Sequence, residues 1–235
     1  MIDPHRRLGI LAFVAAVLTA CTPRIVTPPE PEKGAPAGFP EAYYHQLRTE
    51  GKPVYRIDPA HSLVVIEVRR GGTFAQLGHD HVVASHDVVG AIAPDEGRAD
   101  FYVPLDKLVV DEPALRTRAG FDTQPDADAI DGTRRNMLTK VLDTQRYPFA
   151  LIGVNGFAAG DGDTQIRAAM TLHGTTHVVG AVARMEKSTE VLVVSGTLAI
   201  DQTAFGITPL SILNGAIAVQ DRVNISFELR FRRAE

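Results

Sequence analysis

The residues with the clearest capacity for chemistry in this sequence are its histidines, three of which lie close together at His79, His81 and His86. Residues i and i+2 of a β-strand face the same side, so a strand here projects His79 and His81 together. Two imidazoles on one face form half of a transition-metal site, and they can equally hydrogen-bond the polar head of a ligand. His173 and His177 flank a short turn and are further candidates if the strands meet. Metal binding, head-group binding and a structural hydrogen-bonded pair all remain open interpretations of this group.

The other residues that could do chemistry form no recognisable catalytic motif. The chain contains no Gly-x-Ser-x-Gly nucleophile elbow, no phosphate-binding glycine loop and no His-Glu-x-x-His zinc motif. Asp126, Asp128 and Asp131 lie in a predicted loop and are expected to be solvated rather than to bind calcium. We therefore predict a protein that is not an enzyme and requires no cofactor. A metal-binding protein, or a metal-dependent enzyme that uses the histidines, is the alternative.

The single cysteine of the chain, Cys21, follows a segment that is typical of an export signal. Arg6 and Arg7 precede an uncharged apolar run over residues 8–18, which is shorter than the roughly 20 residues that cross a bilayer. Together with the preceding Leu-Thr-Ala, the cysteine resembles a bacterial lipoprotein box, in which the thiol is acylated and becomes the new N-terminus. Residues 1–20 are therefore predicted to be a lipoprotein signal peptide, and Cys21 to be lipidated. The alternative is a secreted protein with a chance cysteine near its cleavage site.

Export and acylation of this kind predict a protein on the periplasmic side of a bacterial envelope. Two or more acyl chains suffice for stable attachment to a membrane. Position 22 is threonine rather than an acidic residue, which in such lipoproteins favours the outer membrane. The formal net charge is −4, from 24 Lys and Arg against 28 Asp and Glu. Nucleic acid is an unsuitable partner for this chain, because its binding requires clustered basic residues.

Residues 21–53 are predicted to form the lipidated cysteine and a proline-rich tether. Seven of the 15 prolines lie in this segment, and such a composition favours an extended linker that reaches about 3 Å per residue. Within it, a short helix is predicted over residues 41–50, with Tyr43, Tyr44 and Leu47 on its apolar face.

Apolar and polar residues alternate along most of residues 54–235, which is typical of half-buried strands in an antiparallel sheet. The clearest run is 222–232. About eight such runs with short connections favour an all-β domain, either an up-and-down barrel or a sandwich. One segment departs from this pattern. Residues 111–147 predict a polar loop followed by one amphipathic helix with Thr133 as its N-cap, which we expect to lie across one mouth of a barrel.

Four motifs of the domain resemble those of the YceI-like family of polyisoprenoid-binding proteins. They are Tyr-Arg-Ile-Asp-Pro-Ala-His-Ser from Tyr55, Tyr-Pro-Phe from Tyr147, Leu-His-Gly-Thr-Thr from Leu172 and Ile-Asp-Gln-Thr-Ala-Phe-Gly-Ile from Ile200. The motifs occur in the family's order, and the resemblance covers residues 54–233. The family usually has lysine or arginine where this chain has His173.

The resemblance implies that residues 54–235 form an eight-stranded antiparallel lipocalin-like barrel with one inserted amphipathic helix, often dimeric. Its apolar interior then holds the isoprenoid tail of a quinone or polyprenyl lipid. An eight-stranded barrel is just wide enough for one slender ligand or for packed side chains, so a filled core remains the alternative. The expected lining is Val64, Ile66, Val68, Phe101, Val103, Phe149, Leu151, Phe205, Phe227 and Leu229.

The predicted function is therefore non-enzymatic binding of an isoprenoid-type lipid inside a membrane-tethered periplasmic barrel, with a homodimer as a further implication of the resemblance. The candidates for contact with the lipid head group, or alternatively with a metal, are His79, His81, His86, His173 and His177. A structural envelope protein, whose barrel serves as a rigid spacer, is the third hypothesis.

Overall fold

The described part of the chain, residues 34–158, 160 and 162–234 of a computed structural model, contains fourteen strands and three α-helices. The strands are β1 (Tyr55–Ile57), β2 (Leu63–Val68), β3 (Arg70–Gly71), β4 (His81–Ser85), β5 (Val89–Ala93), β6 (Arg98–Pro104), β7 (Val109–Val110), β8 (Phe149–Asn155), β9 (Gly162–Leu172), β10 (Thr175–Lys187), β11 (Val191–Asp201), β12 (Ser211–Ile212), β13 (Ile217–Val219) and β14 (Arg222–Arg233). The helices are α1 (Glu41–Thr49), α2 (Pro113–Ala119) and α3 (Ala127–Asn136). Residues from Pro36 onward belong to one compact unit.

Eleven of the described strands form one sheet, and this sheet closes into a barrel. The order around the barrel is β1-β5-β6-β8-β9-β10-β11-β14, and β14 returns to pair with β1. Three of the barrel strands are interrupted and consist of two segments each: β1 with β2, β4 with β5, and β6 with β7. Their remaining pairings are β2 with β14, β4 with β2, and β7 with β4. All of these pairings are antiparallel. The predicted fold, an all-β, eight-stranded antiparallel barrel of lipocalin type, is confirmed.

Side-chain alternation along β14 gives the barrel its inner and outer faces. Val223, Ile225, Phe227, Leu229 and Phe231 point into the interior, whereas the arginine, asparagine, serine and glutamate residues between them face outward. Successive side chains of a strand point to opposite faces, so an alternating sequence buries one apolar face only. Where polar residues mark the outer face in this way, the sequence predicts the inner face correctly.

The inserted segment between β7 and β8 contains two helices rather than the predicted one. α2 lies within the stretch predicted to be a polar loop, and α3 begins at Ala127, well before the predicted N-cap Thr133. Asp126 caps α3 by accepting a hydrogen bond from the Ala129 N–H at 2.8 Å. The helix then continues into a π-helical turn over Met137–Val141. The sequence pattern missed α2 and the start of α3 because these segments bury almost no apolar side chains, so no helical periodicity marks them.

Helix α1, which the sequence also predicted, packs on the outer face of the barrel. Tyr44 and Leu47 are buried against Ala91 and Ala93 of β5. The Tyr44 hydroxyl donates a hydrogen bond to the Asp100 carboxylate at 2.7 Å. Burial and this hydrogen bond raise the pKa of Tyr44 well above its usual value, so the phenol stays protonated and keeps donating. The end of the predicted tether therefore belongs to the same compact unit as the barrel.

Replacing Tyr44 with phenylalanine is expected to lower the free energy of unfolding by about 1.5 kcal/mol, because it removes a hydrogen bond to a charged group. Urea denaturation followed by circular dichroism measures the change. Tyr43→Phe is the control, because the described contacts of Tyr43 with Tyr44 and Arg98 are made by its ring, and this variant is expected to stay within about 0.5 kcal/mol of the parent. Equal losses in the two variants would contradict the assigned role of the hydroxyl.

The two ends of the barrel differ in their connections. At one end the strands are joined by short turns, such as 94–97 and 188–190. The opposite end, which we call the mouth, carries the residues 69–80, 111–148, 173–174 and 202–221. Strands β12, β13 and β3 pair there in a separate three-stranded sheet. The predicted signal peptide and Cys21 lie outside the described residues, and none of the described helices is long and apolar enough to cross a membrane.

Candidate ligand-binding cavity

The interior of the barrel is a cavity of about 320 Å³. A single water molecule needs only about 10–15 Å³ of such space, so the barrel is hollow rather than filled by its own side chains. Inward-facing residues of β2, β4, β5, β6, β8, β9, β10, β11 and β14 line the cavity. Thr133 from α3, together with Met137, Val141 and Leu142 from the turn that follows it, covers part of the mouth. The inserted helical segment therefore lies across one end of the barrel, as the sequence predicted.

The walls of the cavity are almost entirely apolar. None of the described residues that line it is Asp, Glu, Lys or Arg, and the polar ones are His81, Ser85, Thr133, Thr164 and Gln202. The small residues of the wall are Ala99, Ala150, Ala168, Ala181 and Ala183. These alanines leave the interior open where larger side chains would fill it. Such a wall accepts a slender apolar ligand and excludes charged groups, because burying an unpaired charge is costly.

Seven of the ten residues that the sequence predicted as lining face the cavity. They are Val64, Ile66, Val68, Phe101, Val103, Phe227 and Leu229. Phe205 does not face it, because β11 ends at Asp201 and strand alternation no longer applies in the turn that follows. The Phe205 ring is buried beside the mouth and packs edge-on against the His177 ring, with 5.2 Å between centroids.

Strand β8 shows the other departure from the predicted lining. It presents Ala150 and Ile152 to the cavity, whereas Phe149 and Leu151 point outward. Both faces of this strand are apolar, so its sequence does not reveal which one is inside. The register with β6 decides, because the cavity-facing residues of β6 pair with Ala150 and Ile152. On the outer surface, the Phe149 ring packs edge-on against Tyr102, with 5.4 Å between centroids.

His81, the first residue of β4, is the one ionisable side chain among the described residues that line the cavity. Its Nδ1 lies 2.6 Å from Oδ2 of Asp111. The other carboxylate oxygen, Oδ1, accepts hydrogen bonds from the Val82 N–H at 3.0 Å and from Nη1 of Arg116 at 2.6 Å. The side chains of Asp111 and Arg116 are buried. The buried ion pair of Asp111 and Arg116 therefore contacts His81 through Nδ1, while His81 lines the cavity.

Arg116 ties this group to the surrounding chain. Nη1 also donates to the Asp80 carbonyl at 2.6 Å, and Nη2 donates to the carbonyl and, at 3.1 Å, to the hydroxyl of Thr123. Burial alone would raise the pKa of Asp111, but hydrogen bonds from His81, from the backbone and from Arg116 hold it below its usual value. Asp111 is therefore ionised at neutral pH, and it favours the His81 tautomer with the proton on Nδ1. Nε2 is the ring nitrogen left for a ligand.

The remaining candidate histidines do not converge on this site. His79 precedes β4 instead of lying on it, and its exposed ring is centred 6.2 Å from that of His81, so the predicted shared strand face does not exist. His86 pairs at the surface with Glu112, with 2.7 Å between Nε2 and Oε1. The ring of His173 packs on a tyrosine at the turn after β9. Among the described residues, no three His, Cys, Asp or Glu are grouped as a metal site requires.

The sequence pattern did not reveal Asp111 and Arg116 as part of the site. Asp111 is 30 positions from His81, so no local spacing connects the two. A signal for the hollow interior was present in β10, where Ala181 and Ala183 occupy alternate inward positions. Consecutive small residues on the inward face of a strand indicate space rather than a packed core.

A closed antiparallel barrel around an uncharged apolar cavity defines this protein as a ligand-binding barrel of lipocalin type. The profile of the YceI-like domain matches residues 55–231, and the chain belongs to this family. No curated protein matches the chain at a significant level.

Of three similar solved structures, the first two share the fold of this chain at low sequence identity. A polyisoprenoid-binding domain from Saccharophagus degradans, implicated in plant cell wall breakdown, is 15% identical with a TM-score of 0.56, and the match covers 77% of this chain and 98% of that one. BcnA from Burkholderia cenocepacia is 18% identical with a TM-score of 0.54, covering 74% of this chain and 98% of that one. The YceI protein of Campylobacter jejuni is 14% identical with a TM-score of 0.44, covering 65% and 84% respectively.

Proposed function

We propose that the protein binds an isoprenoid-type lipid, such as a quinone or a polyprenyl lipid, with the tail inside the barrel. The observation that carries the proposal is the uncharged cavity that extends along the barrel. On β9 it is lined from Thr164 to Leu172, which corresponds to about 27 Å of strand. Membership of the YceI-like family, and the similarity to a structure described as a polyisoprenoid-binding domain, support the choice of ligand class.

Burial of the tail supplies the affinity in this proposal. Each CH₂-sized group that moves from water into such a cavity gains about 0.8 kcal/mol, so one isoprene unit contributes a few kcal/mol. The tail needs little polar recognition, and the walls provide little. Among the described residues that line the cavity there is one imidazole and no carboxylate, which suits binding better than acid–base catalysis.

The head group is proposed to lie against His81. Because Asp111 favours the proton on Nδ1, Nε2 offers a lone pair and accepts a hydrogen bond from a hydroxyl group. A polyprenyl alcohol or a quinol carries such a hydroxyl. His81 pairs with Val68 at the mouth end of the barrel, so the tail extends from there toward the opposite end.

The substitution His81→Leu is expected to weaken the binding of a polyprenyl alcohol about fivefold, because one buried hydrogen bond contributes on the order of 1 kcal/mol. Binding of the hydrocarbon with the same tail is expected to stay unchanged. Equilibrium titration of delipidated protein measures both affinities. His86→Leu is the control, since His86 pairs with Glu112 at the surface. An equal loss for the two ligands would show that His81 supports the fold and does not contact the head group.

A length series of polyprenols tests the cavity itself as the binding site. Affinity is expected to rise with each added isoprene unit and to level off once the tail fills the barrel, because apolar area is buried only inside the cavity. Competition against a fluorescent apolar probe gives the affinities. Affinity that is independent of tail length would contradict the proposal.

We also propose that a lipid on Cys21 tethers the domain to the periplasmic side of the outer membrane. The support comes from the sequence: the basic residues, the short apolar run and the Leu-Thr-Ala-Cys segment occur in the order of a lipoprotein signal. The proline-rich residues that follow allow a barrel to stand away from the membrane surface.

The substitution Cys21→Ser is expected to abolish acylation and to release the protein from stable membrane attachment, because several acyl chains are lost together. Intact mass spectrometry of the mature protein checks this. The parent chain should begin at Cys21 and carry acyl chains, as should the control Thr22→Ser. A parent chain that begins elsewhere, or that carries no acyl group, would contradict the proposal.

A further inference from the structure

Two neighbouring loops at the mouth expose large apolar side chains. One spans residues 71–78 and the other spans residues 207–219, and neither contains a charged residue. We call them the mouth loops. Their exposed apolar residues are Phe74 (49% exposed), Leu77 (66%), Ile212 (53%) and Leu213 (67%). Single exposed apolar side chains are ordinary, whereas several on adjacent loops form a patch that requires an explanation.

The mouth loops are held against each other by specific contacts. The Phe74 N–H donates a hydrogen bond to the Ala216 carbonyl at 2.7 Å. A Cβ atom at Gly72 would meet the carbonyl oxygens of Gly215 and Ala216 at 2.5 Å, so this close approach requires glycine. Leu213 has a φ of +51°, a conformation that leucine rarely adopts. A strained backbone that presents leucine to solvent indicates a functional role for that side chain.

The exposed patch is continuous with the cavity. Ile207, Leu210 and Val219 belong to the second mouth loop, and all three line the cavity. The same loop therefore has its tip in solvent and its base in the cavity wall. An apolar ligand that moves along this loop, from its exposed tip to the cavity, meets no charged residue of the mouth loops.

We propose that the mouth loops dock on a lipid bilayer, where the cavity takes up and releases its ligand. This inference rests on the proposed function, because a bilayer is where an isoprenoid lipid is dissolved. Surfaces that bind at a membrane interface bury large apolar side chains at the boundary of head groups and acyl chains. The mouth loops carry no charge and lead directly into the cavity, so a bilayer suits them as the occupant from which an apolar ligand is taken up.

The chain contains no tryptophan, so a single introduced tryptophan reports on one position. Leu77→Trp places it on a mouth loop, and Val182→Trp places it on the outer wall of β10 at a similar exposure, 66% against 53%. Full-length protein is mixed with vesicles of phosphatidylcholine and phosphatidylglycerol, with and without brominated acyl chains. The emission of Leu77→Trp is expected to shift to the blue and to be quenched by bromine, and that of Val182→Trp to change in neither way. Absence of quenching at position 77, or equal quenching at both positions, would overturn the proposal.

A transfer assay separates this proposal from the function on which it rests. The double variant Leu77→Ser, Leu213→Ser is expected to take up a polyprenol from vesicles at least about tenfold more slowly, because two partly exposed leucines no longer partition into the bilayer. Its affinity for polyprenol added from solution should be unchanged. The control Val89→Ser, Val182→Ser removes exposed valines from the barrel wall and should transfer at the parent rate. Unchanged transfer by the leucine variant contradicts docking by the mouth loops, whereas failure of the parent protein to bind polyprenol from any source contradicts the proposed function.

Discussion

A phenylalanine at position 168 is expected to close the cavity and to lower the affinity for a polyprenyl lipid about a hundredfold or more, while the barrel stays folded. Ala168 lies on the inner face of β9, in mid-barrel, paired with Val154 on one side and Val179 on the other. A ring placed there occupies the path of the tail. Exclusion of even one isoprene unit removes a few kcal/mol of apolar burial, and about 1.4 kcal/mol corresponds to a factor of ten in affinity.

The matched control for Ala168→Phe is Ala169→Phe. The adjacent alanine is exposed on the outer face of the same strand, so it receives the same side chain without narrowing the cavity. Equilibrium titration with a polyprenol gives the affinities, and thermal denaturation shows whether each variant is folded. A folded Ala168→Phe protein that binds as tightly as Ala169→Phe would show that the lipid does not occupy the barrel.

The substitution Asp111→Ala is expected to lower the free energy of unfolding by about 3–5 kcal/mol, because it leaves the buried guanidinium of Arg116 without its partner. Chemical denaturation measures the loss. Asp111 also has a φ of +59°, which asparagine tolerates better than alanine. Asp111→Asn therefore removes the charge with less backbone strain and isolates the electrostatic part of the loss.

A surface ion pair gives the control for this prediction. Asp122 accepts two hydrogen bonds from Arg70 at 2.9 and 3.2 Å, but its side chain is largely exposed. Asp122→Asn is therefore expected to change the free energy of unfolding by no more than about 1 kcal/mol. Similar losses for Asp111→Asn and Asp122→Asn would contradict the assignment of a buried ion pair behind His81.

The pH dependence of stability follows from the same carboxylate. Because the folded protein holds the pKa of Asp111 below its usual value, the stabilisation is present above the unfolded value of about 4 and is lost as the pH falls through the lower folded value. The stability difference between the parent and Asp111→Asn is therefore expected to shrink as the pH falls below about 4. Denaturation series at several pH values check this, and a difference that grows in acid would contradict it.

The fold was predictable because β-strand alternation is a local property of the sequence. In β14 each inward apolar residue is followed by an outward polar one, so Phe227 and Leu229 could be placed on the cavity wall. The same reasoning failed in β8, where both faces are apolar and only pairing with β6 sets the inner face. It also failed at Phe205, which lies in a turn beyond the end of β11.

The polar part of the site was predictable only in part. The cluster of histidines indicated His81 as a candidate. Its partner Asp111 lies in the loop before α2, and closure of the barrel brings the two side chains together. Contacts between residues 30 positions apart depend on how the whole sheet closes, and no local pattern encodes them. The hollow interior likewise depends on small residues from several strands, such as Ala99 and Ala168, which meet only in the closed barrel.

The central claim is that the cavity holds an isoprenoid-type lipid in the native protein. The most direct measurement is organic extraction of protein purified from its native membrane, followed by mass spectrometry of the extract and quantification against protein. The parent protein is expected to yield an isoprenoid quinone or polyprenyl lipid at close to one molecule per chain, and Ala168→Phe to yield little. Parent protein that repeatedly emerges without such a lipid, or with lipids in the proportions of the bulk membrane, would contradict the account.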